Sequence, residues 1–195
     1  LSALLVFAIG RRLFDPLAGA LAGAAFALLA VSPSVQGFAG HATHFIVLPA
    51  RAGCWWMLWP GRRQELGIAA SGLAFGLAFL MKQQAAAFLV FGLLFVVVRA
   101  SRERARRAAI LGSIFAGAAV APYALLCAYF AAKGVFANFW FWTVTYAQSY
   151  VSQLPLSYGV KALFVEGATA IGPNAPVWVL AAAGLFLALW RLRDR

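Results

Sequence analysis

The chain has 195 residues, of which 64% are hydrophobic and 11% charged, and its formal net charge is +11. Soluble domains carry roughly a quarter charged residues, and a water-soluble fold of this size has too little interior to hide so much apolar surface. That excludes a soluble domain. It also speaks against nucleic-acid binding, because the basic residues fall in short clusters between apolar runs instead of along one face.

The apolar runs, in chain order, are Pro16–Val35, Thr43–Pro60, Leu66–Leu80, Gln84–Val98, Ala108–Ala131 and Asn174–Trp190. Each approaches the ~20 residues that carry a helix across a bilayer. Leu1–Ile9 reads as the tail of one more, with no initiator Met or charged region before it. The chain therefore reads as a fragment of a longer protein and not as one led by a signal peptide. Cys54 and Cys127 both lie in apolar runs without CxxC or Cys/His spacing and read as buried thiols.

Orientation follows from the loops. Arg11 and Arg12, Arg62 and Arg63, the run Arg99–Arg107 and the run Arg191–Arg195 hold twelve of the sixteen basic residues. If every run crosses once, these clusters share one side, which the positive-inside rule makes cytoplasmic. The opposite side receives Lys82, Lys133 and Lys161. This parity requires a hairpin near Lys82, because one unbroken helix over Leu66–Val98 would separate Arg62 and Arg63 from Arg99–Arg107. The expected fold is an all-α, polytopic transmembrane bundle: one domain over 1–195 with six complete crossings and one partial. A long outer loop over 132–173 would carry an interfacial aromatic helix near Phe139–Gln153.

Four groups of residues could carry chemistry. Lys82, with Gln83 and Gln84, interrupts some thirty apolar residues where one helix ends and the next begins. An ammonium beside free helix N–H groups suits a lipid-linked phosphate; a snorkelling Lys closing a turn is the alternative. Arg51 lies deep in the second run, where an unpaired Arg costs at least ~2.5 kcal/mol. It either lines a polar cavity with His44, seven residues earlier on nearly the same face, or bonds the carbonyls of a neighbouring helix. His41 and His44 form half a metal site or ordinary loop polarity. Trp142, Tyr146 and Tyr150 share a helical face with Phe139, as a membrane-surface anchor or as a platform for sugar. No paired carboxylates, nucleophile–base pair, P-loop or dinucleotide fingerprint is present.

The stretches VSPSVQGFAGHATHFIVLPA, GLAFLMKQQAAAF and GVFANFWFWTVTYAQSYVS resemble a bacterial branch of the GT-C membrane glycosyltransferases. These are relatives of the protein mannosyltransferases and of the transferase that adds aminoarabinose to lipid A. The resemblance implies a GT-C-like bundle in the bacterial inner membrane. It implies an inverting enzyme that takes sugar from a polyprenyl-phosphate donor on the outer face, with the bilayer as its other partner. It further implies that Lys82 contacts the donor phosphate and that the 132–173 loop closes over the site. The family's catalytic base is an Asp in the first outer loop, a region that does not occur in this sequence, so no catalytic residue is assigned here. Where relatives often carry an acidic residue before a His-Phe pair, Thr43 precedes His44 and Phe45. That departure leaves a divalent metal in the parent protein open and assigns no cofactor. The rival classes are a transporter or flippase of a lipid-linked anion, which also uses broken helices and buried cations, and a non-catalytic scaffold subunit.

Overall fold

Punctuation in the sequence sets where the helices start and stop. The computed structural model describes residues 1–33, 39, 41–59, 63–102, 104–152 and 155–193, and among these every regular element is helical. The elements are α1 (Ser2–Leu13), α2 (Pro16–Ala30), α3 (Ala42–Met57), α4 (Gln64–Met81), α5 (Ala86–Ser101) and α6 (Ala105–Ala132). They continue with α7 (Phe136–Trp140), α8 (Tyr146–Ser152), α9 (Leu156–Ile171) and α10 (Ala175–Arg193). Arg62, Glu103, Gln153 and the end 194–195, together with most of the loop expected at Gln36–Ala42, lie outside the described residues.

The chain falls into two units, Leu1–Phe26 with Ala39–Phe139, and Ala27–Phe38 with Trp140–Arg195. In the first unit, Asp15 and Pro16 turn α1 into α2. The Ala18 N–H donates to Asp15 Oδ1 at 2.8 Å, and Pro occupies the first helical position, where its missing N–H is not needed. The two arms then touch backbone to backbone: a Cβ added at Gly19 would stand 2.5 Å from the Phe7 carbonyl oxygen. Small residues permit such close approach where no hydrophobic effect drives helices together.

Contacts along the other helices fix their directions. Gly53 of α3 faces the Phe75 ring of α4, and Gly67 faces Trp56, so α3 and α4 are antiparallel. Gly72 lies against the Phe115 backbone, Gly76 against that of Ala119, and Phe79 against Tyr123. Both numbers rise together, so α4 and α6 are parallel. Gly92 of α5 receives the Phe115 ring while Gly112 of α6 faces Val97, so α5 runs antiparallel to α6 and packs beside the α4–α6 pair. Phe75, fully buried, is the centre: it stacks on Phe88 at 6.0 Å and meets Phe115 edge-on at 6.0 Å, favourable geometries for aromatic pairs. The hairpin at Lys82 required by charge parity is therefore present.

Among the described residues, three helices are long and apolar enough to cross a bilayer: α4 with 18 residues, Gln83–Ser101 with 19 and α6 with 28. At 1.5 Å per residue they rise roughly 27 to 42 Å, against a hydrocarbon thickness of ~30 Å. The pair Ser157–Thr169 and Gly172–Leu187, bent by 43°, makes a fourth if it is one span. The sequence leads to six complete crossings and one partial; of the other helices, α2 and α3, at 15 and 16 residues, rise ~22 to 24 Å. The protein is a multi-pass, all-α membrane protein, with exposed Leu73, Leu94 and Val120 meeting lipid in place of water.

Gly134, at φ 72°, ends α6. Its N–H donates to the Ala131 carbonyl and that of Val135 to Phe130, both at 3.0 Å, the left-handed closure that glycine favours. Beyond it, a π-helical turn at Phe141–Thr145 joins α7 to α8. The stretch read as a long outer loop over 132–173 carries α7, α8 and the whole of α9.

Candidate functional site

One end of the first unit is arginine-rich. Arg12 lies over the Trp55 ring at 5.7 Å, joining the ends of α1 and α3. Arg107 Nη2 donates to Gln64 Oε1 at 2.6 Å, joining the starts of α6 and α4. Arg11, Arg12, Arg63, Arg99, Arg102, Arg104, Arg106 and Arg107 all belong to this end, as do Asp15 and Glu65. Gln64 and Arg104 thus stand on one side, as loop parity demands.

Lys82 occupies the other end. It closes α4 in an extended conformation (φ −162°, ψ 132°) and opens the single turn Gln83–Ala85 that leads into α5. Its N–H donates to the Ala78 carbonyl at 3.3 Å and its own carbonyl accepts from Ala85 N–H at 3.0 Å. An extended residue is what breaks the helix, because an α conformation at Lys82 would run α4 straight into α5. Lys82 is half-buried, Gln83 and Gln84 are exposed, and Ala85 is buried in the same core as Ile46 and Ala78. Continuing the α3–α4 register seven residues on from Phe75 and seven back from Gly53 sets Lys82 level with Ile46, two residues beyond His44.

The two histidines shape the start of α3. His41 is its N-cap: Nδ1 faces Thr43 Oγ1 at 2.5 Å and accepts from Thr43 N–H at 3.4 Å. His44 Nδ1 lies 3.0 Å from the Ala39 carbonyl oxygen. Among the described residues no group of three His, Cys, Asp or Glu is placed to hold a metal ion. Asp15 and Glu65, the described carboxylates of this unit, stand at the arginine end.

Arg51 sits about seven residues below His44, ~10 Å along α3. Its guanidinium lies 3.5 Å from the centre of the Phe26 ring on α2, and its buried Nη1 has no hydrogen-bond partner among the described residues. At 100° per residue the face bearing His44 and Arg51 is ~140° round from the buried stripe Ile46, Ala50, Gly53 and Met57 that meets α4. Arg51 therefore belongs to the α2–α3 side. Stacking of a guanidinium on a ring face compensates part of its desolvation. Neither of the two sequence readings of Arg51 anticipates this, and no signal marks Phe26 among the apolar residues of α2.

A chain of aromatic rings also escapes a sequence reading. Phe79, one turn before Lys82, meets Tyr123 at 5.9 Å; Tyr123 meets Phe139 at 6.0 Å; and Phe139 stacks on Phe130 at 4.7 Å. Phe139 thus turns onto α6, whereas Trp142 and Tyr146 are exposed and pair with each other at 5.4 Å. A π turn beginning at Phe141 adds a residue to the local repeat and so breaks the shared face. The Tyr150 side chain lies outside the described residues.

Apolar helices closed by glycine contacts, a lysine at one turn and arginines at the other end define the class, a polytopic α-helical membrane protein. Residues 1–126 match the dolichyl-phosphate-mannose-protein mannosyltransferase family. Because the match covers more than half of the chain, the protein belongs to that family, a family of membrane glycosyltransferases, and the GT-C resemblance is borne out. The match ends within α6, so the aromatic stretch Phe139–Ser152 lies beyond it. No curated protein and no solved structure matches the chain.

Proposed function

We propose that the protein moves a sugar from a polyprenyl-phosphate donor to an acceptor on the outer face of the membrane, with Lys82 holding the donor phosphate. The observation that carries this reading is the break at Lys82. A half-buried ammonium stands between the end of α4 and the start of α5, at the opposite end of the unit from the arginines. A helix start carries partial positive charge, so the ammonium and the opening of α5 act on an anion together. With the arginine end cytoplasmic by the positive-inside rule, Lys82 faces outward in the bacterial inner membrane.

Transfer by inversion places the acceptor hydroxyl against the anomeric carbon while the bond to the lipid phosphate breaks. Charge builds on the departing phosphate, and a fixed cation beside it stabilises that charge more than it stabilises the bound donor. Gln83 and Gln84 supply neutral polar contacts, and His41 and His44 line the rim level with Lys82. Arg51, stacked on Phe26 below them, holds positive potential beneath this end. A carboxylate must take the acceptor proton, and we place it outside residues 1–195.

The test is transfer rate against donor concentration in the complete protein, at matched membrane expression, for wild type, Lys82→Ala and Lys82→Arg. Hydrogen bonds to charged groups contribute ~1.5–3 kcal/mol, so Lys82→Ala should weaken donor use by roughly 10- to 150-fold, at about 1.4 kcal/mol per tenfold. Lys82→Arg should keep much of the activity, because the charge survives. Unchanged donor dependence in the alanine variant would leave Lys82 as a helix-closing residue and remove it from the site.

A further inference from the structure

Arg51 is a permanent cation that its own unit leaves unpaired. A guanidinium does not deprotonate in a protein, so it cannot shed its charge when apolar helices surround it. Phe26 covers one face, with the ring centre 3.5 Å away. Nη1 is buried, and Arg51 makes no hydrogen bond or ion pair with any described residue. The chain has five carboxylates, and none lies between Pro16 and Met57.

The depth of the charge removes the usual escape. Phe26 is ten residues into α2 from Pro16, ~15 Å above the arginine end, and Arg51 is six residues, ~9 Å, above Met57. Side chains on a helix lean toward its N-terminus, which for α3 is the His41 end. Arg51 thus leans away from the arginine end, the headgroup layer nearer to it, and the Phe26 ring holds it there. It does not snorkel to that layer.

The surroundings leave one approach. His44, Leu48, Arg51 and Trp55 follow one another at helical spacing on one face of α3. The α1–α2 hairpin covers the lower part of that face, with Arg12 over Trp55 and Phe26 over Arg51. Leu48, one turn above, is 39% exposed, and Arg51 itself is only half-buried. Because the ring takes a flat face of the guanidinium, the edge of the planar fork is left for pairing, and that edge offers a carboxylate parallel N–H donors. Stacking compensates only part of the desolvation, and an arginine within the membrane requires a partner. A lipid phosphate fits poorly, because headgroups stay at the ends of the helices.

We infer that Arg51 is the docking point for an acidic side chain of a membrane helix that packs over Leu48 and is not part of this unit. The carboxylate pairs with the guanidinium, and the helix that carries it closes the α2–α3 side. This place is separate from that of the donor phosphate. Arg51 lies ~7 Å deeper than Ile46, the residue level with Lys82, and on a face ~140° round from the one that meets α4. Because Arg51 leans toward the Lys82 end, the positive pole of the pair stays nearest to that end.

The experiment uses the complete protein in intact membranes. A photoreactive p-benzoylphenylalanine takes the place of Leu48, and the crosslinked peptides are read by mass spectrometry. The expected product joins α3 to an apolar peptide that carries Asp or Glu, and its sequence tells whether that helix belongs to the same polypeptide or to a second protein. Crosslinks to lipid alone, or to a peptide without an acidic residue, would overturn the inference. Melting temperatures of the purified protein then separate a pair from a lone cation. Removing one member of a buried pair strands the other, so Arg51→Met should melt about 5 °C or more below wild type, and further below it than Phe26→Leu, which loses the stack alone. Arg51→Lys, which keeps the charge, should fall between Arg51→Met and wild type. A lone cation takes its desolvation cost away with it, so a fall in Arg51→Met no larger than that of Phe26→Leu, or a rise, would also overturn the pair. The crosslink is made with Arg51 intact and decides the matter if the methionine variant does not assemble.

Discussion

The two units spend their glycines differently. In the first, a Cβ added at Gly19, Gly53, Gly67, Gly72, Gly76 or Gly92 would collide with a neighbouring backbone or ring. In the second, a Cβ added at Gly159, Gly167, Gly172 or Gly184 would enter open space. The first unit also holds the whole described core, from Ile46 to Ala119. The difference teaches that a high glycine content has two meanings in an apolar chain. Between crossing helices glycine lets backbones touch; elsewhere it only lowers helix propensity. The family match, which ends at residue 126, covers most of the tightly packed unit and little of the other.

The largest expected effect tests this contrast directly. Gly76→Leu pushes a side chain into the Ala119 backbone and the Pro122 ring, and no rotamer change relieves a clash with backbone. We expect a loss of ~2–4 kcal/mol, read as a lower melting temperature of the purified protein in detergent. Gly167→Leu should change stability by less than ~0.5 kcal/mol, or raise it slightly through helix propensity. Equal effects would break the distinction between the units.

A smaller effect concerns aromatic pairs. The Phe26 ring supports a half-buried guanidinium at 3.5 Å, while Tyr146, 52% exposed, only leans on Trp142. Phe26→Leu keeps apolar volume but removes the ring face, and should cost about 1 kcal/mol. Tyr146→Leu should stay within ~0.5 kcal/mol. The same melting assay reads both, and Phe26→Leu in an Arg51→Met background should have almost no further effect if the stack is the cause.

How much of this is legible in the sequence depends on whether a feature is local. The hairpin at Lys82 is legible because charge parity across the membrane is a global constraint, and only a turn there keeps Gln64 and Arg107 together. The Asp15-Pro16 turn is legible from capping chemistry. The Arg51–Phe26 stack is not, because Phe26 is one of several apolar residues of α2 and only tertiary packing selects it. Helix α9 is hidden for a compositional reason: Gly159, Lys161, Glu166 and Gly167 dilute its hydropathy, although none of them breaks a helix. Of the proposed site, the break at Lys82 could be read from composition, whereas the pairing of Phe79 with Tyr123 and Phe139 depends on the register of α4 and α6.

The smallest expected effect separates capping from chemistry at His41. Its imidazole accepts from the Thr43 N–H at the start of α3, whereas Pro155, at the corresponding position of α9, makes no side-chain cap. Helix α3 presents Ile46, Ala50, Gly53 and Met57 to α4, so fraying its first turn loosens the packed unit from the Lys82 end. Losing an N-cap costs ~0.5–2 kcal/mol, and the 3.4 Å bond places His41→Ala at the low end, near 0.5 kcal/mol. His41→Asn restores a strong capping side chain and should melt with wild type. A metal ligand would behave in the opposite way: asparagine would keep stability and lose transfer activity, because an amide is a far weaker ligand than imidazole for a transition metal. Melting temperature and transfer rate measured together on both variants decide the matter. If His41→Asn is fully stable and inactive, His41 belongs to the reaction, and the carboxylate-poor end at Lys82 gains the ligand that its geometry alone does not assign.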